Sequence, residues 1–329
     1  MTRRTRLLVT TSDLIGRGSE RELSNLLRWL PRDRFEISLC LWRKVLEYPI
    51  PPDIPVTFLH KTRPWHIFRT IHRLKQHLDE VKPDVVFSQL NYVNTATGSA
   101  IGRMKSPPAW LARFAGNPEV EIRWPVLPWT RRSLQRAALV AGCSRAVAAA
   151  VERHLGVPRG RTISLDNIVD VDEIDRASRQ EPAIARPTGR KLVVSVGGLV
   201  DQKDHDTLIR ALAELGRSDV ELWILGKGPN ERQLERLTRS LGLGDRVRLT
   251  GFQSNPHAIV RQADLFVLSS RYEGLPNALL EAMIVGTPVV STDCPYGPAD
   301  LIELGRTGWL TPVGDVGALA RGIEEALGW

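Results

Sequence analysis

No apolar run in the 329 residues approaches the roughly 18 needed to cross a bilayer. The basic start, MTRRTRLLVTTSD, holds only Leu7-Leu8-Val9 as an apolar core. That is too short for a secretory signal, so a cytoplasmic protein is expected. Cysteine is scarce: Cys40, Cys143 and Cys294 are odd in number, far apart, and each lies in or beside an apolar strand-like run. They read as buried free thiols of a reducing compartment rather than a disulfide framework or a zinc site. Histidine is sparse too, and His66, His72 and His77 lack the spacing of three or four that stacks ligands on one helix face. Two Asp-x-Asp pairs, Asp170-Val171-Asp172 and Asp204-His205-Asp206, read as a linker and a helix start. No metal is therefore expected.

The length fits two domains, each large enough for its own core. With 42% apolar and 25% charged residues the chain is globular rather than disordered. Strand-like and helix-like patterns alternate throughout, which implies α/β architecture with parallel sheets covered on both faces. The net charge of +8 is uneven: residues 1–190 hold 31 Lys/Arg against 19 Asp/Glu, the remainder 14 against 18. Any attraction to anionic lipid, glycolipid or nucleic acid would therefore act through the first half, and a merely solvated basic surface is the equal alternative.

One stretch organises the rest. Residues 264–268, DLFVL, suit a strand buried on both faces. The turn Glu273-Gly274-Leu275-Pro276-Asn277 breaks it, and a helix runs from Ala278 until Gly286 and Pro288 stop it. A turn feeding a helix gathers unpaired N–H groups and the positive end of the helix dipole, which suits an anion. Glu281 lies one helical turn beyond Asn277, and helical side chains lean back toward the N-terminus. Two carboxylates flanking an anion site repel the anion but accept hydroxyl groups on either side of it. That combination points to a nucleotide sugar, with ribose on one flank and hexose on the other.

The string Ser269-Ser270…Glu273-Gly274…Pro276…Glu281-Ala282-Met283…Gly286…Pro288 resembles the Glu-x7-Glu signature of the retaining family 4 glycosyltransferases, which have the GT-B fold. The resemblance implies two Rossmann-like domains facing a cleft: residues 1–170 for the acceptor, a linker at 171–190, and residues 191–329 for the donor. It implies that Glu273 holds the transferred sugar and Glu281 the ribose. Lys203 and the Gly274–Asn277 turn would meet the diphosphate, and Phe252 and Gln253 would lie beside the base. In the first domain, Gly18-Ser19-Glu20-Arg21 is similar to the family's Gly-Gly-x-Glu-Arg turn, with Gly16 just before it. The family's customary last helices are missing, since the chain stops at Trp329; either the chain is truncated or closure relies on the linker.

Two departures stand out. Gly198 occupies the place where the family usually has an arginine, so leaving-group stabilisation falls on Lys203, the helix N-terminus or an arginine of the first domain. No histidine lies between His77 and His154, so the role of the family's first-domain histidine is either unfilled or met by Arg113 or Asn117. Residues 65–80 read as a helix with Phe68, Ile71, Leu74 and Leu78 on one face, packed on the core with a solvated basic side in preference to lying on a membrane surface. Residues 115–132, broken by prolines and rich in Trp and Arg, read as an irregular surface loop.

The implied activity is retaining transfer of a hexosyl group from a UDP- or GDP-sugar to a lipid-linked or polysaccharide acceptor. No cofactor is needed and no nucleic acid is involved, and the site would face the inner side of the cell membrane. Competing readings are a nucleotide-sugar or glycolipid binding protein without transfer activity, and another nucleotide-sugar enzyme such as an epimerase. A dinucleotide-dependent oxidoreductase is disfavoured, because Gly16-x-Gly18 lacks a third glycine and the ribose-binding acid.

Overall fold

The computed structural model describes residues 3–15 and 18–328 and divides the chain into two units, Met1–Val169 and Asp170–Trp329. Unit 1 runs β1 (Thr5–Thr11), α1 (Gly18–Trp29), β2 (Phe35–Leu41), β3 (Val56–Phe58), α2 (Ile67–Val81), β4 (Val85–Gln89), α3 (Asn91–Ile101) and β5 (Ala109–Phe114). It continues through α4 (Pro118–Glu121), α5 (Val126–Leu134), β6 (Leu139–Gly142), α6 (Arg145–Leu155) and β7 (Thr162–Ser164). Its seven strands pair in parallel in the order β3-β2-β1-β4-β5-β6-β7. Leu8, Val9, Leu39, Leu41 and Val86 are buried, because a parallel strand carries helices on both faces.

Unit 2 runs α7 (Val171–Ser178), β8 (Lys191–Val196), α8 (His205–Leu215), β9 (Val220–Leu225), α9 (Glu231–Ser240), β10 (Val247–Gly251), α10 (Pro256–Arg261) and β11 (Leu265–Leu268). Then come α11 (Asn277–Ile284), β12 (Val289–Thr292), α12 (Pro298–Leu301), β13 (Trp309–Thr311) and α13 (Val316–Leu327). Its six strands are also parallel, in the order β10-β9-β8-β11-β12-β13. All four residues of β11 are buried. Burying each such side chain stabilises by about 1.5–3 kcal/mol before chain entropy is counted, so the loop leaving β11 starts from a fixed point.

Local chemistry sets the helix starts. Ser144 accepts from the Val147 N–H, Asp170 from Glu173 and Asp315 from Ala318, each satisfying an orphan donor of the first turn. Three expectations change. Residues 115–132 are not an irregular loop: Pro118 opens α4 at its first position under an Asn117 cap, and Pro128 is the third residue of α5. A proline in the first turn removes only an N–H that has no helical partner. Phe68 is not on the core face of α2: it is 72% exposed, while Thr70, Ile71, Leu74 and Leu78 are buried. The segment 171–190 carries α7, which packs on α10 and α11 within unit 2 and receives a 2.8 Å hydrogen bond from Asn255 Nδ2 at the Ala177 carbonyl.

Candidate functional site

In an open parallel sheet, ligands bind outside the carboxyl ends of the two strands where the order reverses. In unit 2 that point lies between β8 and β11. The loop after β8 carries Gly197, Gly198 and Lys203; the loop after β11 carries Ser269 through Pro276. The two are tied by backbone: Arg271 N donates to Gln202 O at 2.8 Å, Ser269 Oγ to Lys203 O at 2.8 Å, and Gln202 Nε2 to Tyr272 O at 2.9 Å. Across this seam Lys203 Nζ meets Glu273 Oε1 at 2.6 Å, and Ser270 Oγ donates to the same oxygen at 2.6 Å. Two residues 70 apart in sequence thus form one charged pair that is mostly buried, with the lysine side chain 19% and the carboxylate 8% exposed. The lysine stem crosses Gly197, where a Cβ would come within 3.2 Å of its Cδ and Cε.

Glycine closes the mouth between β8 and β9. Gly226 has φ +152°, and a Cβ there would lie 1.9 Å from the Gly197 carbonyl oxygen; at Gly228 it would lie 2.3 Å from that of Leu199. A Cβ at Gly198 would meet nothing nearer than 3.8 Å, so the position itself accepts a side chain. The turn Gly274-Leu275-Pro276 then leads into α11, whose cap residue Pro276 has no capping side chain. Glu281 lies on α11 with its Oε2 3.7 Å from His257 Nδ1 of α10. At the end of β10, Phe252 is 61% exposed, and Gln253 Nε2 bonds back to the Thr250 carbonyl at 2.9 Å.

Sequence reasoning missed His205. It follows Asp204, which sits in the left-handed region (φ 48°), and it is buried behind Lys203. Burial first, and the Lys203 charge second, push its imidazole down to about 4, while the backbone of Gly197 and Gly198 offsets part of this. At neutral pH it is an uncharged ring on the floor of the site. Its place directly after Lys203-Asp204 was the available signal.

In unit 1 the order reverses between β1 and β4. Gly18 begins α1; Gly16 lies outside the described residues. Asp13, fully buried after β1, is held by Arg43, whose Nε is 2.7 Å away. Gln89, at the end of β4, donates to the Ser19 carbonyl at 2.9 Å and to Glu22 at 3.2 Å. Asp13 Oδ1, Ser12 Oγ, Gln89 Oε1 and Asn91 Oδ1 are buried without a hydrogen-bond partner among the described residues. Lys61 stands 4.9 Å from the Tyr92 ring centroid and 5.4 Å from that of Trp42, and burial lowers its pKa. Buried oxygens without donors are costly unless a ligand supplies them. Nothing in the sequence pattern marks Asp13 or Gln89, because neither belongs to a motif.

Arg113 and Asn117, the two residues considered for the missing histidine, are both committed to holding unit 1. Arg113 is fully buried and donates to Glu22 at 2.8 Å, Asn167 at 2.6 Å and the Leu165 carbonyl. Burial raises the Glu22 pKa, and Arg113 opposes that rise. Asn117 Oδ1 accepts from the Glu119 and Val120 N–H groups. Among the described residues no cluster of His, Cys, Asp and Glu is arranged to hold a metal ion.

Comparison with known proteins agrees with this architecture. Residues 16–173 match the profile described as Glycosyltransferase Family 4, and residues 177–328 match Glycosyl transferases group 1. The lipopolysaccharide core biosynthesis glycosyltransferase LpsE of Rhizobium meliloti is 39% identical over 152 residues, which is 46% of this chain and 42% of LpsE. A Campylobacter jejuni relative, named for 4-alpha-N-acetylgalactosaminyl transfer to a diphospho-undecaprenol-linked sugar, is 32% identical over 50% of this chain and 43% of its own length. The chain thus aligns with less than half of the length of these curated relatives. Among solved structures, Anabaena HepE in complex with UDP and glucose superposes with a TM-score of 0.81 at 20% identity, covering 98% of this chain and 90% of HepE. The two parallel sheets are those of the GT-B fold. With both halves matched, the chain belongs to glycosyltransferase family 4.

Proposed function

We propose that the protein is a retaining glycosyltransferase that moves a hexosyl group from a UDP- or GDP-sugar to a lipid-linked or polysaccharide acceptor. The observation that carries this reading is the Lys203–Glu273 pair at the β8/β11 reversal, with a helix-opening turn beside it. Lys203 and the Gly274–Asn277 turn stabilise the diphosphate as negative charge builds on departure, which is where preorganised donors contribute most to rate. The diphosphate takes Lys203 from Glu273, and the freed carboxylate accepts hydroxyls of the sugar being transferred. Glu281 accepts from the ribose, and Phe252 and Gln253 flank the base. In unit 1 the unpartnered oxygens of Asp13, Gln89 and Asn91 receive hydroxyls of the acceptor. The name of the Campylobacter relative, with its diphospho-undecaprenol-linked sugar, supports a lipid-linked acceptor, and such an acceptor would put the reaction at a membrane surface.

The test is a thermal-shift screen of UDP-, GDP- and ADP-sugars, where a ligand at a hundredfold its dissociation constant stabilises by about 2.7 kcal/mol. Proton NMR of the product's anomeric centre then reports retention or inversion. Unchanged nucleotide-sugar turnover in both Glu273→Ala and Lys203→Ala would overturn the assignment.

One observation favours a second reading. Gly198 brings no cation to the donor site, and Arg113 and Asn117 are engaged in the fold, which fits a donor-binding protein without transfer activity. Calorimetric binding of a nucleotide sugar with no nucleotide release in the presence of acceptor extracts would favour that reading.

A further inference from the structure

Glu281 does not stand alone on α11. Its Oε2 lies 3.7 Å from Nδ1 of His257, the second residue of α10, and both side chains are withdrawn from water, the imidazole 10% and the carboxylate 13% exposed. That separation is too long for a hydrogen bond, yet at such burial a carboxylate and an imidazole N–H, or an imidazolium, attract each other more than they would in water. The residues that follow on α10 are apolar and covered: Ala258, Ile259 and Val260 are buried beside the histidine. Packing alone would be served better there by an apolar side chain, because burying an imidazole costs its hydration. The Glu281 carboxylate is an acceptor that offsets this cost.

The helix that carries His257 is fixed at both ends. Pro256 occupies its first position, Asn255 caps it by accepting from the Ala258 N–H, and the same Asn255 donates to the Ala177 carbonyl of α7 at 2.8 Å. At the other end the Val260 carbonyl accepts from Thr287 Oγ1 at 2.8 Å, and the Thr287 N–H donates to the Ala282 carbonyl of α11 at 3.1 Å. His257 therefore keeps a set position against α11. A glutamate, by contrast, is a long side chain whose rotamer freedom is lost when it is held by a ligand. Glu281 is the fifth residue of α11 and leans back toward the Gly274–Pro276 turn that opens the helix. A neighbour that already limits its rotamers lets a ligand bind without ordering it afresh.

We propose that His257 is a positioning residue for the donor: it holds the Glu281 carboxylate in the orientation that accepts the ribose hydroxyls of a nucleoside diphosphate. This rests on Glu281 being the ribose acceptor, and it adds a residue that acts on the ligand only through Glu281.

The experiment is isothermal calorimetry of the whole chain with UDP, GDP and ADP, and with the dideoxyribose analogue of whichever binds most tightly. Loss of both hydroxyls should weaken binding to wild type roughly thirtyfold, since each bonds a charged acceptor, and Glu281→Ala should remove most of that difference. His257→Phe, which keeps a ring of similar volume, should weaken the ribose form about fivefold, the worth of one long side chain left to order on binding, and leave the dideoxyribose form unchanged. His257→Asn, whose amide nitrogen takes the place of Nδ1, should bind both forms as wild type does. Melting temperatures, with His257→Leu as a second apolar replacement, separate these effects from damage to the fold. If His257→Phe and His257→Leu bind both forms as wild type does, or weaken both alike, the inference is overturned while the Glu281→Ala result leaves the ribose contact standing. Equal binding of the ribose and dideoxyribose forms by wild type would overturn the role of Glu281 itself, and that of His257 with it. Binding of none of the three nucleotides would overturn the donor site as a whole.

Discussion

Lys203 and Glu273 offer a way to separate what holds the site together from what makes it work. Each is largely withdrawn from water, and each is the other's counter-charge at 2.6 Å. Breaking a fully buried pair by removing one partner costs about 3–5 kcal/mol, because the remaining charge is stranded. The lysine's residual exposure and the Ser270 hydroxyl on the same carboxylate reduce that to roughly 2–3 kcal/mol for Lys203→Met. For a unit of this size that is a drop in melting temperature of about 5–10 °C. Glu273→Gln should cost a similar amount. The double variant Lys203→Met/Glu273→Gln strands no charge, so calorimetry of the free protein should find it within about 1 kcal/mol of wild type, with a coupling energy of roughly 4 kcal/mol. Transfer activity follows a different rule: both singles and the double should lose more than about a hundredfold in turnover, since the transition state needs the lysine and the carboxylate individually. Stability losses that simply add in the double variant would refute the pairing. Activity that recovers together with stability would refute the catalytic roles.

Three further expectations follow from neighbouring geometry. Gly198→Arg should fold normally, since its Cβ has 3.8 Å of clearance, and should tighten nucleoside-diphosphate binding several-fold by isothermal calorimetry. His205 has a folded pKa of about 4 against an unfolded 6.5, so only the unfolded chain takes up its proton between those values. Stability should therefore be full above pH 6.5 and fall by on the order of 3 kcal/mol as pH drops toward 4, and urea titrations of His205→Gln should lose that component of the slope. Burial raises the thiols of Cys40, Cys143 and Cys294 to about 12, so a disulfide exchange reagent at pH 8 should label none of the native protein and all three after denaturation.

What could be read in advance was whatever the chain states locally. The DLFVL run and the Glu273-to-Glu281 string each carry their meaning within a dozen residues, and β11 and the loop-to-α11 turn follow them. The 2.6 Å contact of Glu273 with Lys203 was not legible, because it depends on which two strands flank the order reversal. Asp13 and Gln89 were invisible for the same reason. Phe68 shares helical spacing with the buried Ile71, but it sits on the flank of α2, where only the position of α5 decides between core and surface. The prolines of residues 115–132 misled because their count, not their place in a first turn, was weighed.

The glycine contacts between the β8 and β9 loops bear on how this scaffold diversifies. Backbone there rests on backbone, at Gly226 against Gly197 and Gly228 against Leu199, so no side chain of any size enters without displacing the strands. The floor of the pocket is in effect closed to substitution. The rim is not: Lys227 and Phe252 stand exposed, and Gly198 has room above it. Residues 198, 227 and 252 are thus positions where side chains vary without touching the backbone contacts beneath them. A laboratory search for new donors belongs at residues 198, 227 and 252, and the glycines beneath them are best left alone.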